Sequence, residues 1–195
     1  MSSAAFPAPR PVLADLVPGS LARDAALVAG AALLTAAAAQ VVVPLPFTPV
    51  PISGQTFAVL LCAAALGPLR GSLAQGLYLL LGMLGLPFYA GGESGWQAAT
   101  GATGGYLIGF VAASVVVGTL ARRGLDRSAV GMAAAFLAGS VVVYAFGAPF
   151  LAVAAGVTLP EAVRLGVVPF LVGDLVKALL AAGLVPAAWR VANSR

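Results

Sequence analysis

The sequence contains no histidine, a single cysteine and few charged side chains. Its 195 residues include 10 basic and 6 acidic side chains, or 8% of the chain, against roughly 25% in an ordinary soluble domain. Without histidine, the chain cannot form a histidine-based catalytic triad, an HExxH zinc site or a histidine proton relay. The lone Cys62 excludes a disulfide framework and a thiolate metal cluster. We therefore expect no metal site and no bound cofactor.

Apolar residues, in contrast, are abundant and arranged in long runs. They make up 61% of the chain, and the mean hydropathy is +1.05. Most runs approach the ~20 residues that a helix needs to cross a bilayer. We predict an all-α, polytopic protein of the cell membrane with six transmembrane helices, over Asp24–Val43, Gln55–Leu69, Gly71–Ala90, Gly101–Ala121, Ser128–Gly147 and Val167–Val191.

The region after the fifth helix is harder to assign. Pro149 is expected to end that helix, because proline lacks the amide hydrogen that a helix interior uses. Residues 150–160 are apolar but too short to cross, so they are expected to form a lip or a re-entrant piece, with a seventh span as the alternative.

The arginines predict the orientation of the chain. With the N-terminus inside, eight arginines fall on inner segments and only Arg164 on an outer one, which is the bias typical of cytoplasmic loops. Residues 1–23 lack the apolar core of a signal peptide, so we expect a cytoplasmic tail there and another at 192–195, around a transmembrane domain of residues 24–191. The basic residues are dispersed between apolar runs, so no nucleic-acid partner is expected.

Asp174 and Lys177 stand out within the last apolar run. Residues three apart share a helix face, and such a pair is worth roughly 0.2–0.5 kcal/mol on an exposed helix. Each charge near the bilayer centre, however, costs about 2.5–3.5 kcal/mol. Self-pairing alone does not explain why the two charges are there, so we predict a ligand site. A carboxylate suits the N–H groups of a ureido or amide, and an ammonium suits a carboxylate or carbonyl oxygen.

Two outer segments could close such a site. The first, Val43–Phe57, has four prolines that stiffen it; Ser53 could cap the next helix, which would turn the amide of Gln55 towards the site. The second, Gly85–Phe110, is rich in glycine and aromatic residues. Each is interpreted as either a plain connector or a lid. The side chains expected to reach a ligand are Gln55, Tyr89, Glu93, Ser94, Trp96 and Tyr106.

Two series of small residues predict helix packing. Gly101, Gly105 and Gly109 form a GxxxGxxxG ridge, which is more often a packing surface than a binding site. On the first helix Ala32 and Ala36 continue a small-residue series, which indicates either internal packing or docking on another membrane protein.

No enzyme class is supported by these residues. The histidine base commonly needed by intramembrane serine proteases is missing, and Asp174 has no second aspartate to form an aspartyl protease pair. No GxxxxGK[ST] run exists, so the chain cannot hold ATP by that motif. We therefore predict that the chain is not an enzyme and that any ATP-driven step requires other subunits.

Several motifs, in order along the chain, resemble the BioY family. They are Pro44–Gln55 (PLPFTPVPISGQ), Gly67-Pro68, Gly82–Pro87 (GMLGLP), Gly104–Phe110 (GGYLIGF) and Gly173–Lys177 (GDLVK). The resemblance implies a six-helix membrane protein that captures biotin from outside as the substrate (S) component of an energy-coupling factor (ECF) transporter. It further implies as partners a transmembrane coupling protein and two cytosolic ATPase subunits.

By position, the resemblance assigns roles to particular residues. Asp174 and Lys177 match the Asp-x-x-Lys pair that is expected to bind the polar groups of biotin. Ala32 and Ala36 match an AxxxA motif for docking on the coupling protein. Where the family is expected to place a ligand-contacting asparagine, this chain has Glu93 and Ser94. An S component for another vitamin, a solitary secondary transporter and a structural membrane scaffold remain as alternatives.

Overall fold

The structure, a computed structural model, describes residues 10–194. The predicted tail residues 1–9 and Arg195 lie outside the described residues. The helices are α1 (Leu21–Ala38), α2 (Gln55–Met83), α3 (Gly95–Thr100), α4 (Gly104–Arg122), α5 (Ala129–Ala155), α6 (Leu159–Gly166) and α7 (Leu171–Asn193). Five helical stretches are long and apolar enough to cross a membrane: α1, α2, α4, α5, and the stretch that covers α6 and α7. The all-α, polytopic prediction is confirmed.

Helix α2 is a hairpin of two antiparallel arms, residues 55–66 and 68–83. Gly67 breaks the helix with φ 82° and ψ 179°, a backbone conformation open essentially to glycine alone. In a straight helix Gln55 and Tyr78 would lie about 34 Å apart, yet their side chains are hydrogen bonded. The six predicted spans therefore correspond to α1, the two arms of α2, α4, α5 and α7.

Several arginine side chains gather at one end of the bundle. Asp15, in a 3₁₀ turn over Leu13–Leu16, forms ion pairs with Arg70 at 2.6 Å and Arg122 at 3.4 Å. Partial burial disfavours the charged Asp15 carboxylate, but the Arg70 hydrogen bond, the Val12 amide and the two arginine charges together hold its pKa below the ordinary value. We call this the basic end; it is the end that the arginine bias predicts to face the cytoplasm.

Residues 10–20 pack across the basic end. The Val12 side chain is fully buried in the core, and Arg127 donates a hydrogen bond to the Pro11 carbonyl at 2.9 Å. Arg127 also stacks on the Trp189 ring, 3.4 Å from its centroid. Trp189 in turn donates to the buried Asp126 at 2.6 Å, so the segment is linked to the end of α7. Burial raises the pKa of Asp126, although the Trp189 hydrogen bond opposes this shift.

At the opposite end, short elements connect the long helices. Strands β1 (Val42–Val43) and β2 (Ile52–Ser53) form an antiparallel ribbon that pairs Val42 with Ser53 and Val43 with Ile52. The predicted first span, which ran to Val43, is therefore too long: α1 ends at Ala38, and the chain turns into this ribbon. The loop after α2 is tied to α1, because the Gly91 amide donates to the Ala39 carbonyl at 3.2 Å.

The prediction that Pro149 ends the fifth helix is wrong. Helix α5 continues to Ala155 and ends at Gly156, whose φ of 66° is typical of a glycine C-cap. Proline removes only one helical hydrogen bond, and membrane helices tolerate that loss. Residues 150–155 therefore extend α5, and Leu159 begins α6, so no separate lip or re-entrant piece forms between them.

Two of the three glycines of the predicted ridge, Gly105 and Gly109, form a packing surface between α4 and α5, whereas Gly101 precedes α4 and lies at the end of α3. A methyl group at Gly105 would overlap Phe150, and one at Gly109 would touch the Val143 backbone at 3.0 Å. Close approach of the two backbones therefore requires glycine at both positions. This contact fixes α4 against α5, and both helices contribute side chains to the site described next.

Candidate ligand-binding site

A cavity lies at the end of the bundle opposite the basic end. It encloses about 610 Å³ of empty space, counting its open mouth, which is within the range of small-molecule sites. Its walls come from the β-ribbon and its loop, the loop after α2, and helices α2, α4, α5 and α7. The lining residues that carry polar groups are Ser53, Gln55, Thr56, Tyr89, Glu93, Thr103, Tyr106, Tyr144, Asp174 and Lys177.

Asp174 is a buried charged group of this cavity, and both of its carboxylate oxygens have side-chain partners. Its Oδ1 accepts from Lys177 Nζ at 3.3 Å, one helical turn along α7, and its Oδ2 accepts from the Tyr144 hydroxyl on α5 at 2.6 Å. The side chains of Asp174 and Lys177 are only 4% and 15% exposed. A buried carboxylate needs such partners, because an uncompensated charge away from water is costly.

Tyr144 was not predicted from the sequence as part of the site. It lies in an apolar helix, carries no charge, and meets its partner 30 positions further along the chain. The signal that could have found it is the need of Asp174 for a second donor, but no spacing rule points to a particular tyrosine. Thr56 and Thr103 also line the cavity without having been predicted.

Gln55 lies at the first position of α2 and lines the cavity. Its side-chain amide donates to the Tyr78 hydroxyl on the second arm, and its Oε1 accepts from Ser53 at 2.8 Å. Ser53 Oγ also accepts from the backbone N–H of Gln55 at 3.4 Å, so it orients the start of α2. Both arms of α2 and the ribbon thereby hold the Gln55 side chain in one orientation. The second N–H of its side-chain amide has no hydrogen bond to a described residue.

Two tyrosine rings line the cavity with their hydroxyl groups directed into the protein. Tyr106 donates to the Gly166 carbonyl at 2.8 Å, and Tyr89 donates to the Leu79 carbonyl at 2.7 Å. Tyr89 packs edge-on against Tyr78, with ring centroids 5.8 Å apart. Because burial raises the pKa of Tyr89 to about 12, its hydroxyl stays a neutral donor at physiological pH. Each ring therefore presents an apolar surface in a fixed position.

Of the three predicted lid residues Glu93, Ser94 and Trp96, only the first lines the cavity. Glu93 lies at the exposed mouth and lines the cavity, but Ser94 and Trp96 do not line it. Trp96 is 66% exposed and is the second residue of α3, on the outside of the bundle. Its direction follows from Gly91, Gly92 and Gly95, which all have positive φ. Of the eight predicted ligand-contacting residues, the structure therefore brings six to this cavity.

The two predicted docking residues on α1 lie inside the protein. Ala32 and Ala36 are 1% and 7% exposed and belong to the hydrophobic core, so neither presents a surface to another protein in this structure. The small residues that α1 exposes are on its other face and include Ala26, Gly30 and Ala37.

The arrangement is suited to a small, mostly apolar molecule with a few polar groups. Asp174 retains acceptor positions, and Lys177 retains two N–H groups beyond the one directed at Asp174. Tyr89, Tyr106 and Phe170 provide aromatic surface. Within residues 10–194 no group of three metal-ligating His, Cys, Asp or Glu side chains occurs.

The profile of the BioY family matches residues 9–194. This chain belongs to the BioY family. It is 36% identical to a protein of Rhizobium etli named biotin transporter BioY, over 72% of this chain and 78% of that one. A Thermotoga maritima protein of the same name is 39% identical, over 72% of this chain and 81% of that one.

The fold has a solved counterpart. A crystal structure described as the S-component for biotin from an ECF-type ABC transporter superposes with a TM-score of 0.79 at 25% sequence identity. The superposition covers 87% of this chain and 92% of the other. The bundle described above is therefore the fold of that S-component.

Proposed function

We propose that this chain captures biotin at the outer side of the cell membrane, as the substrate-binding S component of an ECF-type transporter. The observation that carries the proposal is the buried Asp174–Lys177–Tyr144 group, which lines a cavity at the end opposite the basic end. Relatives named biotin transporters support biotin as the molecule that occupies it.

Biotin offers groups that complement this cavity. We expect an N–H of its ureido ring to donate to Asp174, and a carbonyl or carboxylate oxygen to accept from Lys177. The rings of Tyr89, Tyr106 and Phe170 would cover the bicyclic ring, and Gln55 and Thr103 would supply further hydrogen bonds. In this account biotin is the transported substrate and not a cofactor.

The loop that contains Glu93 would act as a lid. Ser94 and Trp96 lie outside the cavity here, so they would reach a ligand only if the loop moved. Three positive-φ glycines in this short loop provide positions that can absorb such a change. Glu93, at the mouth, would then be the first charged group that an entering ligand meets.

The energy for release would come from other subunits. This chain lacks a P-loop motif, and we expect a transmembrane coupling protein and two cytosolic ATPases to drive release inside. The exposed face of α1, with Ala26, Gly30 and Ala37, offers the small residues that let another helix approach closely. Docking would therefore use this face in place of the buried Ala32 and Ala36.

A competition experiment tests the proposed substrate. Radiolabelled biotin is bound to the purified protein and challenged with unlabelled biotin, thiamine, riboflavin and folate. We expect displacement by biotin alone; displacement by another vitamin would assign a different substrate.

Uptake by whole cells tests the proposed energy source. Cells that express this chain with and without the coupling protein and ATPases are compared for biotin accumulation. The proposal predicts that accumulation against a gradient requires those subunits. Equal accumulation in their absence would favour a solitary secondary transporter.

A further inference from the structure

A second cavity opens on the membrane-facing side of the bundle, near the basic end. It lies between α1 and the second arm of α2, and its empty space, including the open side, is about 1120 Å³. Its apolar walls are formed by Leu21, Val28, Leu66, Leu69, Leu73 and Leu77. We call this the α1–α2 groove.

The α1–α2 groove is polar at one end only. Arg70, Arg122 and the acidic Asp24 line it at the basic end. Val28 and Leu77 line it about two turns further into the bundle. Seven residues separate Leu21 from Val28 and Arg70 from Leu77, so the apolar part extends about 10 Å along the helices. Leu69 and Leu73 are 69% and 53% exposed, which leaves the groove open towards the bilayer.

The charges beside this groove do not balance. Arg23, Arg70 and Arg122 face only two carboxylates, Asp15 and Asp24. Arg23 and Arg70 are held by close contacts of 2.6 Å to these acids. Arg122 has a single 3.4 Å contact with Asp15, and within the described residues its guanidinium makes no hydrogen bond. One positive charge is therefore left over, and it lies on Arg122.

We propose that the α1–α2 groove binds an anionic phospholipid of the cytoplasmic leaflet. The phosphodiester carries one negative charge, which matches the surplus charge, and a guanidinium can donate two parallel hydrogen bonds to it. One acyl chain lies between Leu69, Leu73 and Val28. The basic end emerges from the membrane where lipid phosphates lie, so headgroup and arginine meet at the same depth.

Native mass spectrometry of the purified protein tests this site. The delipidated protein is incubated with equal amounts of phosphatidylglycerol and phosphatidylcholine that carry identical acyl chains. The wild type is expected to retain the anionic lipid about fivefold more than the zwitterionic one. Inorganic phosphate at the same concentration should not compete, because it has no acyl chain to fill the groove.

Two pairs of variants separate the headgroup from the acyl chain. Arg122→Gln should abolish the preference for phosphatidylglycerol, whereas Arg123→Gln, the exposed neighbour outside the groove, should keep it. Arg122→Lys retains the charge and should keep part of the preference, which separates lost binding from lost folding. Leu73→Trp should reduce retention of both lipids, whereas Leu80→Trp, exposed on the same arm but outside the groove, should not.

Several results would overturn the proposal. Equal retention of the two lipids by the wild type would show that no anionic headgroup is recognised. An equal loss of preference in Arg122→Gln and Arg123→Gln would show that the effect is only one of net charge. A photocrosslinker placed at Leu73 in native membranes must capture lipid; capture of a polypeptide would assign the groove to a protein partner instead.

Discussion

The Tyr144 hydroxyl donates a 2.6 Å hydrogen bond to Asp174 Oδ2, while Lys177 occupies Oδ1 of the same carboxylate. Two helices, α5 and α7, thus fix one acidic group in the candidate ligand-binding cavity. If the cavity binds biotin, this carboxylate is already oriented before the ligand arrives, so little entropy is lost in ordering it.

Removal of this hydroxyl should weaken biotin binding. Tyr144→Phe is expected to lower the affinity about tenfold, because a hydrogen bond to a charged group contributes roughly 1.5–3 kcal/mol. Isothermal titration with biotin measures the change. Tyr106→Phe is the matched control: its hydroxyl is directed at the Gly166 carbonyl, so affinity should fall less than about threefold. An equal loss in both variants would contradict a specific role for Tyr144.

The ion pair should affect stability in a non-additive way. Asp174→Asn or Lys177→Met alone leaves one buried charge without its partner, and we expect each to lower the Tm by about 5 °C in detergent. The double variant should lie within about 3 °C of wild type, because it leaves no unpaired charge. Thermal unfolding without biotin checks this, and strictly additive losses would argue against a coupled pair.

The hairpin in α2 predicts opposite effects of the same substitution at two glycines. Gly67 has a φ of 82°, so Gly67→Ala should destabilise the protein by about 1–3 kcal/mol. Gly76, on the same helix, has open space around it and an ordinary helical backbone, so Gly76→Ala should be neutral or stabilise by up to about 1 kcal/mol. Unfolding in detergent compares the two. Similar effects at both positions would mean that Gly67 does not make the turn.

The acidic residues at the basic end predict a pH dependence. The pKa of Asp15 is lower in the folded protein than its ordinary value of 3.8. Its ionised form therefore stabilises the fold above that pH, and the contribution is lost as pH falls through the folded pKa. The difference in unfolding free energy between wild type and Asp15→Asn should be constant between about pH 8 and 5 and shrink below about pH 4.

Asp126 should give the opposite dependence of stability on pH. Burial raises its pKa, so its ionisation costs stability as pH rises from about 4. Asp126→Asn should therefore become less harmful relative to wild type as pH increases, the reverse of Asp15→Asn. Tm measured across pH for both variants provides the test; parallel profiles would contradict the assigned shifts.

The sequence was sufficient to identify the two charged residues of the site and the six spans. Two charges in an apolar run are costly, so Asp174 and Lys177 could be identified without coordinates. Gly67-Pro68 marked the turn between the α2 arms because neither residue suits a helix interior. These predictions depend on local chemistry, which is readable from the chain itself.

Features that depend on tertiary contacts could not be predicted. Tyr144 meets Asp174 because α5 and α7 pack side by side, which brings together two residues 30 positions apart in the chain. Trp96 lies outside the cavity because the backbone angles of the preceding glycines direct it there, and a periodic pattern carries no such angles. Helix α5 continues through Pro149 because proline removes only one helical hydrogen bond, and membrane helices tolerate that loss.

The most direct test of the account is a biotin titration of wild-type protein and of Asp174→Asn. This substitution preserves the shape of the side chain but removes the negative charge that should accept the ureido N–H. We predict saturable biotin binding by the wild type at one site per chain, and a loss of affinity of at least about a hundredfold in the variant. Equal affinity in the two proteins would show that biotin, if it binds, does so elsewhere.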